Sequence, residues 1–134
     1  MAGFGGNTMT RKTFIAEYIR FITLAMKLSN KALQHGLSSL EDEIDDIDDE
    51  LFKQGLRFVV DGTEPRLINE IMTNRIAREK DKNMNILKTV QKRAVLGIQA
   101  GEYFRVFYNV LKSLPGLTAK EENKVDDAIL FADD

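Results

Sequence analysis

Gly36–Ile68 reads GLSSLEDEIDDIDDELFKQGLRFVVDGTEPRLI, and where this stretch stops and starts helices decides the fold. It joins two long apolar-patterned segments. Its first part begins apolar and ends with eight carboxylates in the ten residues Glu41–Glu50. Its second part, Leu51–Val60, is an amphipathic block closed by Asp61-Gly62-Thr63-Glu64-Pro65. Gly62 can take the left-handed conformation beyond a helix C-terminus. Thr63 can cap the next helix, with Pro65 in the first turn, where a missing N–H costs nothing. Upstream, Ser38 with Glu41 or Ser39 with Asp42 offers a capping box, and the acids of the following turn suit a helix dipole. Ile44, Ile47 and Leu51, spaced three then four, supply one buried edge. Aspartate is a poor interior helix former and like charges at i,i+4 repel, so the run either stays helical under strain or breaks near Asp45-Asp46.

Outward from this stretch the chain is helical in pattern. On its N-terminal side, Phe14, Tyr18, Ile22, Ala25 or Met26, and Leu33 recur at helical spacing, widened by Ile15, Ile19 and Leu28. The spacing predicts a helix over Arg11–His35, capped by Thr10 or Thr13 and ended by Gly36. On the C-terminal side, Leu67, Ile68, Ile71, Met72 and Ile76 form one apolar stripe, and Met84, Leu87, Val90, Ala94 and Ile98 another. The residues between, Ala77–Asn83, are nearly all charged or polar but contain no strong breaker. One continuous helix over roughly 64–100 is expected, with two helices meeting near Lys82 as the alternative; the single helix would exceed roughly 50 Å. Gly101 stops it. A short aromatic-rich helix follows over Glu102–Leu114, with Phe104, Phe107, Tyr108 and Leu111 on one side, ended by Pro115-Gly116. A capping box at Thr118–Glu121 opens a last helix over Ala119–Phe131, where Val125, Ile129 and Leu130 can dock. No stretch alternates with period two for long enough to form a strand. The expected fold is all-α: a compact bundle of about five helices, one of them long. Residues 1–10 are expected as a flexible leader, 11–131 as one helical domain, and 132–134 as a fraying tail.

Composition narrows the function classes. The chain has 134 residues, 43% hydrophobic and 30% charged, as in an ordinary globular domain. Its net charge of −2 creates no field that favours nucleic acid or an anionic membrane. It has no cysteine, which excludes a disulfide scaffold, a thiolate zinc site and a cysteine nucleophile. A membrane span needs about 20 mostly apolar residues, whereas the best local run here, Phe21–Met26, stops at Lys27. Met1–Thr8 lacks the basic start and apolar core of a signal peptide.

Few residues invite chemistry. Asp45, Asp46, Asp48, Asp49 and Glu50 are hard-oxygen ligands of the kind Ca²⁺ or Mg²⁺ takes, but the calcium loop needs a central glycine and none lies between Gly36 and Gly55. A solvated acidic face, or a docking strip for a basic partner, is the better reading. His35, the sole histidine, stands at a helix C-terminus, where a cation is favourable. No nucleophile motif accompanies it. Arg66, Arg75, Arg78, Lys80 and Lys82 make a modest basic stripe without the aromatics that stack single-stranded nucleic acid. The residues point to no enzyme, no cofactor and no bound metal.

Several phrases resemble the flagellar stator subunits (motility protein A) of the MotA/TolQ/ExbB proton-channel family. Gly36, Leu37, Leu40 and Glu41 match a "GLLALE"-like segment, and Gly55-Leu56 with Val59–Pro65 and Leu67-Ile68 match a "GLxxVVDGT(D/E)PxLI" segment. Val95–Glu102 is similar to the "LAIQxGENPR" tail after the fourth membrane helix of that family. The resemblance covers roughly Lys12–Pro115 and implies a cytoplasmic loop joined directly to a cytoplasmic tail. It is compatible with an engineered fragment or with a natural paralogue lacking the membrane part. It further implies a non-enzymatic protein-interaction module in the cytoplasm, near the inner face of the membrane. Its partner would be the rotor switch protein FliG or another motor component, with homo-oligomerisation possible and no direct membrane insertion. In that family the contact uses an Arg three residues before the Gly and a Glu five after it. Here those positions hold Leu33 and Glu41, with Lys31 two residues before Leu33; the tail has Tyr103-Phe104 where the family has Asn-Pro. The expected partner-binding residues are Lys31, Glu41, Asp42, Glu43, Asp45 and Asp46. Two alternatives stand beside this: the cytoplasmic portion of a full-length proton-driven stator or transport subunit, and an unrelated helical adaptor.

Overall fold

The structure, a computed structural model, describes residues 8–132, and side chains up to residue 129. Residues 1–7 of the expected leader 1–10 and the last two residues of the expected tail therefore lie outside the described residues. Helix α1, Arg11–His35, carries the apolar stripe. Thr10 caps it by accepting the Thr13 N–H at 3.1 Å, and Gly36, at φ 88°, ends it by donating its N–H to the Ala32 carbonyl. Phe14, Tyr18, Phe21, Ile22, Ala25 and Leu28 are completely buried, so the helix is sandwiched between neighbours on more than one side.

A 3-10 turn, Leu37–Leu40, and one helical turn, α2 (Glu41–Ile44), lead into the loop 45–49 and then α3, Glu50–Val60. The acidic run thus breaks at Asp45-Asp46. Neither expected capping box forms upstream. Ser39 instead donates its hydroxyl to the Gly36 carbonyl at 2.7 Å, which tightens the chain into the 3-10 turn straight after the helix stop. Helix α4 covers Pro65–Ile76 and α5 covers Lys82–Ala100. Gly62 takes φ 82°, as its place in the turn requires. The N-cap of α4 is Glu64, with Pro65 at its first position, and not Thr63. Thr63 is held one residue upstream, its N–H on the Phe58 carbonyl and its own carbonyl accepting from the Gln99 amide at 2.8 Å.

The expected single helix over 64–100 is in fact two. The polar middle supplies its own stop and start. Asp81 caps α5 by accepting the Met84 N–H at 2.8 Å, Glu79 accepts the Asp81 N–H, and the Ile76 carbonyl at the end of α4 accepts from both the Glu79 N–H and the Asn85 amide. Folding back also buries both stripes against each other, which a straight rod could not do: Ile68, Met72, Ile76, Leu87, Val90, Ala94 and Ile98 are all buried. Capping by the charged residues and burial of the two stripes therefore outweigh the absence of a glycine or proline in the gap.

α5 ends at Gly101 in the left-handed conformation, with the Glu102 N–H reaching back to the Gly97 carbonyl. Helix α6, Phe104–Ser113, and α7, Ala119–Ala132, complete the chain. The Thr118–Glu121 capping box forms reciprocally, at 2.9 and 3.1 Å. In all, the described residues hold seven α-helices and no strand, so the all-α expectation stands and the count of about five does not. The two extra helices come from the break in the acidic run and the break at 77–81.

α1 and α5 are the central pair and run parallel. At one end the Met9 N–H donates to Asp81 and Asn83 donates to the Met9 carbonyl; at the other, Leu33 lies beside Gly101. α6 reverses direction, so that the buried Tyr18 hydroxyl donates to the Leu111 carbonyl at 2.9 Å, and α7 returns with Glu121 bidentate on Arg11. α3 rests mainly on α5. The fit is close: a Cβ on Gly55 would stand 2.7 Å from Val95 and 2.9 Å from the Met72 sulfur. α3 still reaches α1 through Phe52, whose ring meets Phe21 edge-on at 4.7 Å.

Candidate partner-docking site

The acidic turn is built on an apolar frame. Leu40, Ile44, Ile47 and Leu51, spaced four, three and four, are all buried. The residues between them are the carboxylates, and most of them point outward; Glu43 is half-buried and Asp49 is largely buried. The break at Asp45-Asp46 leaves the loop 45–49 held from both sides by these anchors.

The carboxylates divide into two sets. Three are tied to cations on the helices around them: Glu43 to Lys31 at 2.7 Å, Asp45 to Arg57 at 3.0 Å and Asp49 to Arg20 at 2.8 Å. Hydrogen bonding from Lys31 holds the Glu43 carboxyl below its usual range, against the opposing effect of burial. Hydrogen bonding to Asp49 likewise raises the pKa of the Arg20 guanidinium. Asp49 accepts in addition from the buried Gln91 amide of α5 at 3.4 Å. The exposed Asp45–Arg57 pair contributes little to stability; the half-buried Lys31–Glu43 pair does more to fix the turn on α1. The second set, Glu41, Asp42, Asp46, Asp48 and Glu50, is exposed and has no ion-pair partner among the described residues.

Of the residues expected to bind a partner, Glu41, Asp42, Asp45 and Asp46 are exposed, while Lys31 and Glu43 are half-buried and bonded to each other. The turn therefore brings the expected acids onto one exposed connector but engages Lys31 inside the molecule. Among the described residues no group of three or more His, Cys, Asp or Glu side chains is placed to hold a metal ion. His35 is exposed on the last turn of α1.

Sequence reasoning missed three exposed large hydrophobic side chains. Leu33, placed in the buried stripe of α1, is 46% exposed; Phe104, placed on the inner side of α6, is 41% exposed, and Tyr103 is 79% exposed. Leu33 falls at the rim because α5 ends at Ala100 and the Gly101 turn passes over the end of α1. Helical spacing alone carries no signal of where the covering helix stops. The inner side of α6 is formed by Phe107 and Leu111, both buried, with Tyr108 half-buried and donating to Asp126 at 2.5 Å. Burial, followed by the Asp126 hydrogen bond, pushes the Tyr108 hydroxyl's pKa well up.

Among the described residues no helix is long and apolar enough to cross a membrane. No family model and no solved structure matches the chain. Curated relatives do. Motility protein A of Borreliella burgdorferi is 43% identical over 54 residues, 40% of this chain and 21% of that protein. The Bacillus subtilis motility protein A is 35% identical over 88 residues, 66% of this chain and 30% of the relative. That of Treponema pallidum is 30% identical over 97 residues, 72% of this chain and 36% of the relative. The chain thus matches roughly a fifth to a third of the length of these relatives. Over that part, the chain is a relative of the motility protein A proteins.

Proposed function

We propose that this chain is a non-enzymatic docking module of the flagellar stator type, in the cytoplasm, that meets a rotor component through the free carboxylates of the acidic turn. One observation carries the reading. Glu41, Asp42, Asp46 and Asp48 are exposed and have no ion-pair partner among the described residues, on a turn pinned by buried Leu40, Ile44 and Ile47. A fixed, uncompensated row of charge steers a basic partner and fixes its register more than it adds raw affinity. The partner of this reading is a basic surface of the rotor switch protein, and Glu41 stands where the stator resemblance places the contacting acid. Lys31 supports the turn through Glu43, so its part in docking is to position the acids.

Binding of the purified rotor switch protein, measured at low and at physiological salt, tests this. Affinity should fall as salt rises, because exposed charges are screened within about 10 Å at 0.1 M. Salt-independent binding would remove the electrostatic basis of the proposal.

A second reading rests on the short share of each relative that the chain matches. It makes this chain the cytoplasmic part of a proton-driven stator subunit. A native reading frame with apolar spans around these residues would establish it. A frame without them would leave the docking module alone.

A further inference from the structure

Helix α6 is apolar around more of its circumference than the bundle covers. It packs on α1 and α5 and completely buries Phe107 and Leu111. Beside that buried edge runs a second row, Tyr103, Val106, Val110 and Leu114, spaced three, four and four. At 3.6 residues per turn the row falls within about 80° of arc. Tyr103 is the N-cap of α6 and Leu114 its C-cap, so the row runs the length of the helix. Tyr103 is 79% exposed, Val106 57% and Leu114 40%, with Val110 half-buried between them. Side chains three and four apart on a helix are neighbours, so these form one continuous ridge and not four scattered residues.

The ridge carries no charge. Its outer flank is Asn109 and Ser113, whose amide and hydroxyl donate to the Arg105 and Val110 carbonyls at 2.8 and 2.7 Å. The charged residues of α6, Arg105 and Lys112, fall on the opposite side of the helix, and Lys112 is held there by Asp126 and Glu122.

We propose that this ridge pairs with the same ridge of a second copy of the chain, the two α6 helices lying antiparallel across a two-fold axis. The spacing selects that occupant. Turned end for end about a point near Tyr108, the row meets itself: Tyr103 falls against the partner's Leu114, and Val106 against the partner's Val110, as an isologous contact requires. An uncharged ridge offers no complement to a charged partner surface. Lipid-bound helices draw on cations free to meet headgroups, and one of the two cations of α6 is neutralised within the chain. With Asn109 and Ser113 included, the pair removes roughly 1,000 Å² from water in total, the floor of a specific interface and the range of weak, transient ones. The dimer is therefore weak, with a dissociation constant of about 10–300 µM. The free acids of the docking turn lie on other elements, so the pairing does not rest on the rotor reading.

Sedimentation equilibrium of the full chain from about 5 µM to 1 mM tests it, with the mass expected to rise from one chain toward two. Val106→Glu puts a carboxylate at the centre of the ridge; the site is more than half exposed, so the variant is expected to fold, and circular dichroism verifies this. It should weaken dimerisation by about tenfold or more. Lys124→Gln makes the same change in net charge at an exposed site on α7 and should leave the dimer unaltered. Salt screens charges and not apolar contacts, so the dissociation constant should hold between low and physiological salt. The register has its own readout, because the chain has no cysteine. On oxidation, a mixture of Val106→Cys and Val110→Cys chains should give a disulfide-linked heterodimer. Tyr103→Cys chains alone should not link, since an antiparallel pair holds the two copies of that residue about 16 Å apart, beyond disulfide reach. Four results would each overturn the proposal: a chain monomeric up to about 1 mM, Val106→Glu dimerising as tightly as the parent, association lost at physiological salt, and Tyr103→Cys chains linking where the mixture does not.

Discussion

The molecule has two charge-rich connectors, and they use their charges differently. Between α4 and α5, at 77–81, the two acids are spent on the fold: Asp81 takes the N–H groups of Met84 and Met9, and Glu79 takes that of Asp81 and the Lys88 ammonium. Between α1 and α3 the carboxylates outnumber their partners. Glu43, Asp45 and Asp49 reach cations on other helices, and Glu41, Asp42, Asp46, Asp48 and Glu50 reach none among the described residues. A connector whose acids are consumed locally holds the fold. A connector left with exposed surplus charge on a rigid frame has something to offer a partner.

The sharpest way to break this contrast is to loosen the frame beneath the acidic turn. Gly55→Ala puts a methyl group within 3 Å of Val95 and Met72 and should cost about 1–3 kcal/mol in urea unfolding. If the variant matches the parent, α3 is not seated as closely as described. Next in size is Asp81→Ala, which removes the α5 cap and the tether to Met9; about 1–2 kcal/mol of destabilisation is expected from the same measurement.

Acid titration probes the paired carboxylates of both connectors together with those of α7. Glu121 is held down to about 2 from an ordinary 4.5, mainly by hydrogen bonding from Arg11. Glu43 and Glu79 are lowered chiefly by Lys31 and Lys88. A carboxyl whose folded pKa lies below its unfolded one stabilises the fold fully above the unfolded value, and loses that stabilisation as pH falls through the folded one. Stability should therefore hold near neutrality and decline from about pH 4.5 toward 2. Glu121→Gln, Glu43→Gln and Glu79→Gln should each flatten that decline. An unaltered acid limb in all three would mean the ion pairs do not form in solution. The smallest effect belongs to the free acids. Asp46→Asn/Asp48→Asn should change stability by less than about 0.5 kcal/mol, as for surface sites without partners.

Much of the fold was legible because glycine and capping residues mark its joints. Gly36, Gly62 and Gly101 all adopt positive φ at helix ends, and Thr10 and Thr118 cap where their positions indicated. The break at 77–81 was not legible. Nothing there is a strong breaker, and the decisive contacts, such as Asn85 to the Ile76 carbonyl, exist only once the two helices fold back. Of the docking site, the acidic run could be read as a surface, but not its division. Which carboxylate is free depends on where Arg20, Lys31 and Arg57 come to lie, and those are tertiary facts.

The claim that the surplus acids exist to be met by a basic partner has one direct test. The variant Glu41→Gln/Asp42→Asn/Asp46→Asn/Asp48→Asn is titrated with the rotor switch protein at low salt, beside Glu43→Gln as a control that disturbs a paired acid. A melting temperature close to the parent's together with an affinity loss of about tenfold or more is the result expected when steering charges are removed from an intact fold. An unchanged affinity in a folded quadruple variant would contradict it, whatever the control shows.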